Sequence, residues 1–165
     1  MISLHCRSVA DTHGVASSLA QLARTGDVLI LSGDMGSGKT AFAQGFAEAL
    51  GVDEPVTSPT FTLVHTYDTG RVNLHHADLY RLDRMSEVAD LALAELVEGD
   101  GILLVEWGDP AAPLLGDHLE VRMRHDDIDD DARFVTVRGV GRTWAARWER
   151  VEAAIATWRV DDPSC

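Results

Sequence analysis

The stretch SGDMGSGKT, Ser32 to Thr40, sets Gly33, Gly38, Lys39 and Thr40 at the spacing G-x-x-x-x-G-K-T. Each part of that pattern suits phosphate. Glycines let consecutive backbone N–H groups turn inward around anionic oxygens, and the start of a following helix adds its partial positive charge. Lys39 would then reach the β and γ phosphates of a nucleoside triphosphate, and the Thr40 hydroxyl would bind magnesium. The expected cradle is Gly33, Asp34, Met35, Gly36, Ser37, Gly38, Lys39 and Thr40. At average residue usage the four fixed positions coincide by chance in on the order of one window in tens of thousands, so chance is a poor explanation. Lys39 is also the single lysine of the chain; every other basic residue, from Arg7 to Arg159, is arginine. A compact ammonium on a flexible stem fits a phosphate nest where a broad planar guanidinium does not. With no second lysine, the Asn-Lys-x-Asp element by which GTPases read guanine has no place in the sequence, which leaves ATP as the expected nucleotide.

A triphosphate site of this kind needs a carboxylate on a neighbouring strand to serve magnesium or to orient the attacking water. Glu106 ends the apolar run ILLVEWG, and Asp78 ends a second candidate strand in HHADLYRL, with Arg81 three residues later. Taken alone, Glu106 equally suits an exposed strand end, and Asp78 suits an ion pair or a helix cap. Between them lies VTSPTFTLV, whose Ser58, Pro59 and Thr60 form a hydroxyl-rich loop, either a plain turn or a nucleotide-sensing switch. The histidines His65, His75, His76 and His125 do not make a zinc site: His75 and His76 are adjacent on a strand and point to opposite faces. The acidic run HDDIDDDAR at 125–133 lacks the glycine and closing glutamate of a calcium loop and reads as a solvated hairpin tip.

The elements that must position these residues can be read from periodicity. A strand near 2–8 precedes a helix over about 11–24, capped by Asp11 or Ser8 and closed by Gly26. DVLILSG is a buried parallel strand, and KTAFAQGFAEALG is a helix that Gly51 terminates. The glycine-rich stretch therefore joins a strand to a helix, the context its chemistry requires. FTLVHTYDTGRVNLHHADLY predicts two strands turning at residues 68–71. A helix follows over 86–97, a strand over 102–107, a hairpin over 118–125 and 133–140, and a last helix over 142–159. On that last helix Trp144, Trp148, Val151, Ile155 and Trp158 form one stripe, which packs on the sheet or faces a partner. No repeat or linker interrupts the chain, so residues 1–160 are expected to form one domain with a short tail over 161–165.

The hydrophobic share of 45% with no apolar run near twenty residues excludes a spanning helix. The start MISLHCRSVADTHG lacks the features of a secretory signal, and a cytoplasmic location is expected. Cys6 and Cys165 form no framework; Cys6 reads as a small buried hydrophobe. A formal net charge of −13 repels a phosphate backbone, so the chain alone is not expected to bind nucleic acid.

GDMGSGKT, TSPTFTLV, HHADLYRL and VEWGD follow in the order, and near the spacing, of the TsaE (YjeE) family, the small bacterial ATPases of tRNA threonylcarbamoyladenosine (t6A) synthesis. The chain resembles that family over most of residues 9–110. The resemblance implies an α/β P-loop NTPase fold, three-layered, with a mixed, mainly parallel sheet and antiparallel hairpins. It implies an ATP site in which Thr40 and Glu106 serve magnesium, Asp78 is needed for hydrolysis, the loop carrying Thr60 moves with nucleotide state, and Trp107 lies nearby. Arg133 is a further candidate nucleotide neighbour. It also implies that ATP turnover acts on TsaD, the threonylcarbamoyl transferase, working with TsaB, and the acidic charge agrees with the tRNA being held by those partners. Ala41 departs from the family's frequent second threonine but leaves the magnesium hydroxyl intact. Two other readings remain: a small-molecule kinase with a short lid carrying Arg81 and Arg84, and a nucleotide-binding assembly factor.

Overall fold

Two strands of nearly unbroken apolar sequence, β2 (Val28–Ser32) and β5 (Gly101–Glu106), are buried at every position. They lie side by side in a seven-stranded sheet of order β1-β7-β6-β2-β5-β4-β3, whose other strands are β1 (Ile2–Cys6), β3 (Val64–Asp68), β4 (Asn73–Asp78), β6 (His118–His125) and β7 (Arg133–Val140). The structure is a computed structural model that describes residues 1–59, 63–80, 82, 92–99 and 101–160. Thr60, Arg81, Arg84, Cys165 and much of the helix expected over 86–97 lie outside them. The four central strands β6, β2, β5 and β4 run parallel. The outer pairings, β1 with β7, β7 with β6 and β3 with β4, are antiparallel. Both hairpins read from the sequence are present, and the second has the expected strand bounds.

Helices cover the sheet unevenly, and the sequence pattern follows the coverage. On one face α1 (Val9–Ala20), α2 (Lys39–Leu50), α5 (Arg142–Ala145) and α6 (Trp148–Ala154) pack on Leu29, Leu31, Leu104, Val121 and Val137. On the other, α3 (Leu93–Glu98) and α4 (Ala112–Leu115) pack on Val28, Ile30, Leu103 and Val105. β2 and β5 supply side chains to both cores, which is why they are apolar throughout. β6 is covered on one side only. Its Leu119, Val121 and Met123 are buried while Arg122 and Arg124 are exposed, the alternation of a strand with one wet face. The α/β/α layering thus holds over the parallel centre and reduces to two layers at the β6-β7-β1 side.

Local rules place most boundaries. Ser8 caps α1, its hydroxyl accepting from the Asp11 N–H at 3.2 Å, while the Asp11 carboxylate accepts from the Arg7 N–H at 2.9 Å. α1 ends at Ala20, earlier than the expected 24, because Leu22 and Ala23 switch to short bonds onto Leu19 and Ala20 and tighten the chain towards β2. α2 ends at Gly51 in the left-handed conformation, as expected.

The last helix is a correction. Instead of one helix over 142–159 the chain forms α5, α6 and a 3-10 turn, Ala156–Trp158. The break falls at Arg147, whose φ of −114° leaves the helical region. Its guanidinium is bound to Asp27 and lies over the Trp144 ring, and those buried contacts outweigh one continuous backbone ladder. The apolar stripe is core: Trp144, Val151 and Ile155 are fully buried, with Trp148 and Trp158 packed against them. Cys6 is the expected buried hydrophobe, and burial pushes its thiol pKa up to about 12. Among the described residues no helix is long and apolar enough to cross a membrane.

Candidate functional site

The parallel register brings the C-terminal ends of β2, β5 and β4 to one edge, with Glu106 paired to Leu31 on one side and to Asp78 on the other. Ligands of open α/β sheets sit at such an edge. The glycine-rich loop leaves β2 here and enters α2, whose first N–H groups have no partner within the helix. Gly33 and Gly38 have φ of +137° and +102°, conformations that side chains rarely adopt. At Gly33 a Cβ would also lie 2.0 Å from the Met123 carbonyl oxygen of β6. Gly33→Ala is therefore expected to lower stability by more than the roughly 1–3 kcal/mol of a strained φ alone, read as a fall in the thermal unfolding midpoint.

Lys39 begins α2 and is nearly buried. Its Nζ donates to the carbonyls of Gly33 and Asp34, each at 2.7 Å, and to Ser37 Oγ at 3.4 Å, and it sits 3.9 Å from the centre of the Trp107 ring. Burial lowers its pKa below the usual lysine range, opposed by the charges of Glu106, Asp78, Asp34 and Asp109. Thr40 Oγ1 donates to Glu106 Oε2 at 3.1 Å. Glu106 is only 2% exposed, so of the two readings open in the sequence the exposed strand end is excluded. Asp78 accepts from the Ser58 hydroxyl and, at 2.9 Å, from the Tyr80 N–H. The Tyr80 bond closes a turn two residues long rather than the start of a helix, and the same carboxylate ties the Ser58 loop to the site.

Lys39, Thr40, Glu106, Asp78, Ser58, Tyr80 and Trp107 line one cleft of about 310 Å³ together with Met35, Gly36 and Gly38. Trp107 holds a left-handed φ of 56°, unusual for a bulky residue, with its ring 5.0 Å from that of Tyr80. A strained aromatic beside a buried ammonium and two acids marks the site independently of the loop motif. Arg133 reaches the loop from β7, its Nη2 donating to the Gly36 carbonyl at 3.3 Å. Hydroxyl and carboxylate oxygens on Thr40 and Glu106 are hard donors of the kind magnesium takes, so the residues fit that ion.

The sequence model of the family described as "Threonylcarbamoyl adenosine biosynthesis protein TsaE" matches residues 6–135, which include every one of these side chains. The chain belongs to the TsaE family. It is 41% identical over 135 residues to the tRNA threonylcarbamoyladenosine biosynthesis protein TsaE of Bacillus subtilis, covering 81% of this chain and 83% of that one. It is 41% identical over 133 residues to the protein of the same name from Streptomyces coelicolor, covering 77% and 89%. The crystal structure of Bacillus subtilis YdiB superposes with a TM-score of 0.77 at 32% identity, over 93% of this chain and 97% of that one.

Three neighbours of this TsaE-family site were not expected there from the sequence, which weighed His76 and His125 only as zinc ligands. His76 Nε2 lies 2.9 Å from Glu106 Oε1, the Tyr80 ring meets Trp107 at a tilt of 50°, and His125 Nε2 donates to the Met35 carbonyl at 3.4 Å. The alternation that set His75 and His76 on opposite faces held a usable signal. It put His76 on a face of β4 that a neighbouring strand's acid can share, but which acid depends on register. Of the expected site residues, Thr60 lies outside the described ones.

Proposed function

We propose that this cleft is a P-loop NTPase site that binds ATP with magnesium and hydrolyses it, and that turnover drives or resets the TsaD and TsaB proteins of tRNA threonylcarbamoyladenosine modification. The observation that carries the reading is convergence. Lys39, Thr40, Asp78 and Glu106, from three separate elements, meet at one strand edge, with the only lysine of the chain held at the mouth of the loop. In this reading the backbone N–H groups of the loop and the start of α2 hold the phosphates, and Lys39 leaves the Gly33 and Asp34 carbonyls to meet the β and γ oxygens. Thr40 and Glu106 would hold magnesium, which when bound would offset the negative charge of the phosphates. Asp78, held by Ser58, orients the attacking water, so a shift of the Ser58 loop changes turnover directly. Family membership and the order of the motifs support the t6A role. The charge of −13 supports the tRNA being held by the partners rather than by this chain.

The test is phosphate release from ATP by the protein alone and with TsaD and TsaB added, with Lys39→Ala as blank. Acceleration by the partners in the wild type only is expected. A phosphorylated small molecule in place of free phosphate would overturn the reading in favour of a kinase. Glu106→Gln is expected to keep ATP bound, since loop and lysine remain, while turnover falls on the order of 10- to 100-fold. Lost binding with normal turnover per bound complex would sink that role.

A further inference from the structure

Glu106 is a buried carboxylate with a hydrogen bond on each oxygen. Thr40 Oγ1 donates to Oε2, and His76 Nε2 lies 2.9 Å from Oε1. A carboxylate only accepts, so Nε2 carries the proton of this contact. The other ring nitrogen, Nδ1, is buried with no hydrogen-bond partner among the described residues. An imidazole fully buried in β4, paired across the sheet with Leu104 of β5 and His65 of β3, is a costly choice for packing alone. An aliphatic side chain would fill that place without a polar atom left over. What the imidazole adds is one N–H aimed at Glu106.

That N–H has a definite consequence for the acid. With Oε1 occupied by His76, the carboxylate plane is fixed and Oε2 faces Thr40. Without it, Oε1 becomes a buried anionic acceptor with an unmet bond, and the side chain gains by turning towards the Lys39 ammonium, whose charge it already feels. We propose that His76 is a positioning residue of the metal site: through Glu106 Oε1 it sets the orientation in which Oε2 and the Thr40 hydroxyl together hold a divalent cation. The proposal rests on the reading of Thr40 and Glu106 as the metal-holding pair. Residues that orient a ligand by hydrogen bonding affect metal affinity much as the ligands do.

The test uses the full chain, Mn2+ as probe and a non-hydrolysable ATP analogue, with free Mn2+ read by electron paramagnetic resonance and analogue affinity measured separately in EDTA. His76→Leu should weaken Mn2+ binding roughly 10- to 100-fold while leaving metal-free analogue affinity unchanged. His76→Gln, whose amide N–H falls near the Nε2 position, should recover most of the loss. His76→Asn, whose amide falls near Nδ1 and does not reach Oε1, should behave as His76→Leu and stands in for it if the leucine variant does not fold. In a Glu106→Gln background, His76→Leu should add no further loss. Wild-type Mn2+ affinity in His76→Leu or His76→Asn, equal losses in His76→Gln and His76→Asn, or a full extra loss in the Glu106→Gln background would each overturn the positioning role. If Glu106→Gln itself binds Mn2+ as the wild type does, the metal-holding pair falls as well. If Glu106→Gln is weakened and the His76 variants are not, only the positioning role falls.

Discussion

Lys39→Ala is expected to weaken ATP binding by roughly 10- to 150-fold, the factor that follows from losing a charged hydrogen-bonding partner. The effect should be large because no second lysine exists to substitute and because the ammonium is already partly desolvated, held against the Gly33 and Asp34 carbonyls and the Trp107 ring. Lys39→Arg should resemble Lys39→Ala rather than the wild type. The space beneath Trp107 is 3.9 Å from ring centre to Nζ, and a planar guanidinium has neither the compactness nor the single point of charge that the loop accommodates. Isothermal titration of both variants against ATP in magnesium measures this directly. Unchanged affinity in Lys39→Ala would remove the nucleotide reading of the loop altogether.

The second large effect lies at the opposite end of β2 and is one of stability. Arg147 and Asp27, 6% and 3% exposed, make a bidentate pair of 2.6 and 2.8 Å, and Arg147 also donates to the Leu22 carbonyl at 2.9 Å. Removing one member strands the other charge away from water. Arg147→Ala or Asp27→Ala should each lower stability by about 3–5 kcal/mol. For a chain of this size that is a fall in unfolding midpoint of roughly 6–20 °C. Replacing both with apolar residues of similar volume, Asp27→Leu with Arg147→Met, should recover much of the loss, because no unpaired charge remains. ATP affinity below the transition should stay near wild type, since the pair sits at the start of β2 and the loop at its end. Thermal denaturation of the two single variants and the double variant tests this; single variants as stable as the wild type would show that the pair adds nothing.

The contrast between these two residues shows how unevenly the molecule is written in its sequence. Lys39 announces itself because its partners lie within a few residues: the glycines, the strand and the helix that give it meaning are contiguous. Arg147 and Asp27 are 120 positions apart, and nothing in the run TWAARWERV signals that one arginine will be buried. A helix read from the stripe Trp144, Trp148, Val151, Ile155 and Trp158 was correct about which residues face the core. It was wrong about continuity, since periodicity carries no information about a distant carboxylate.

Legible in the residues alone were the glycine-rich loop, the doubly buried central strands, both hairpins, the Gly51 stop and the order of motifs that carries the family, while the α1 cap was narrowed only to Ser8 or Asp11. These rest on short-range rules: alternation, helix period, capping chemistry and the φ that only glycine takes freely. Tertiary structure alone decided that Glu106 is buried rather than a wet strand end, that His76 meets one of its oxygens and Thr40 the other, and that Asp78 is tied to Ser58. Each of these depends on strand order and register, which set which side chains from separate parts of the chain share one edge of the sheet.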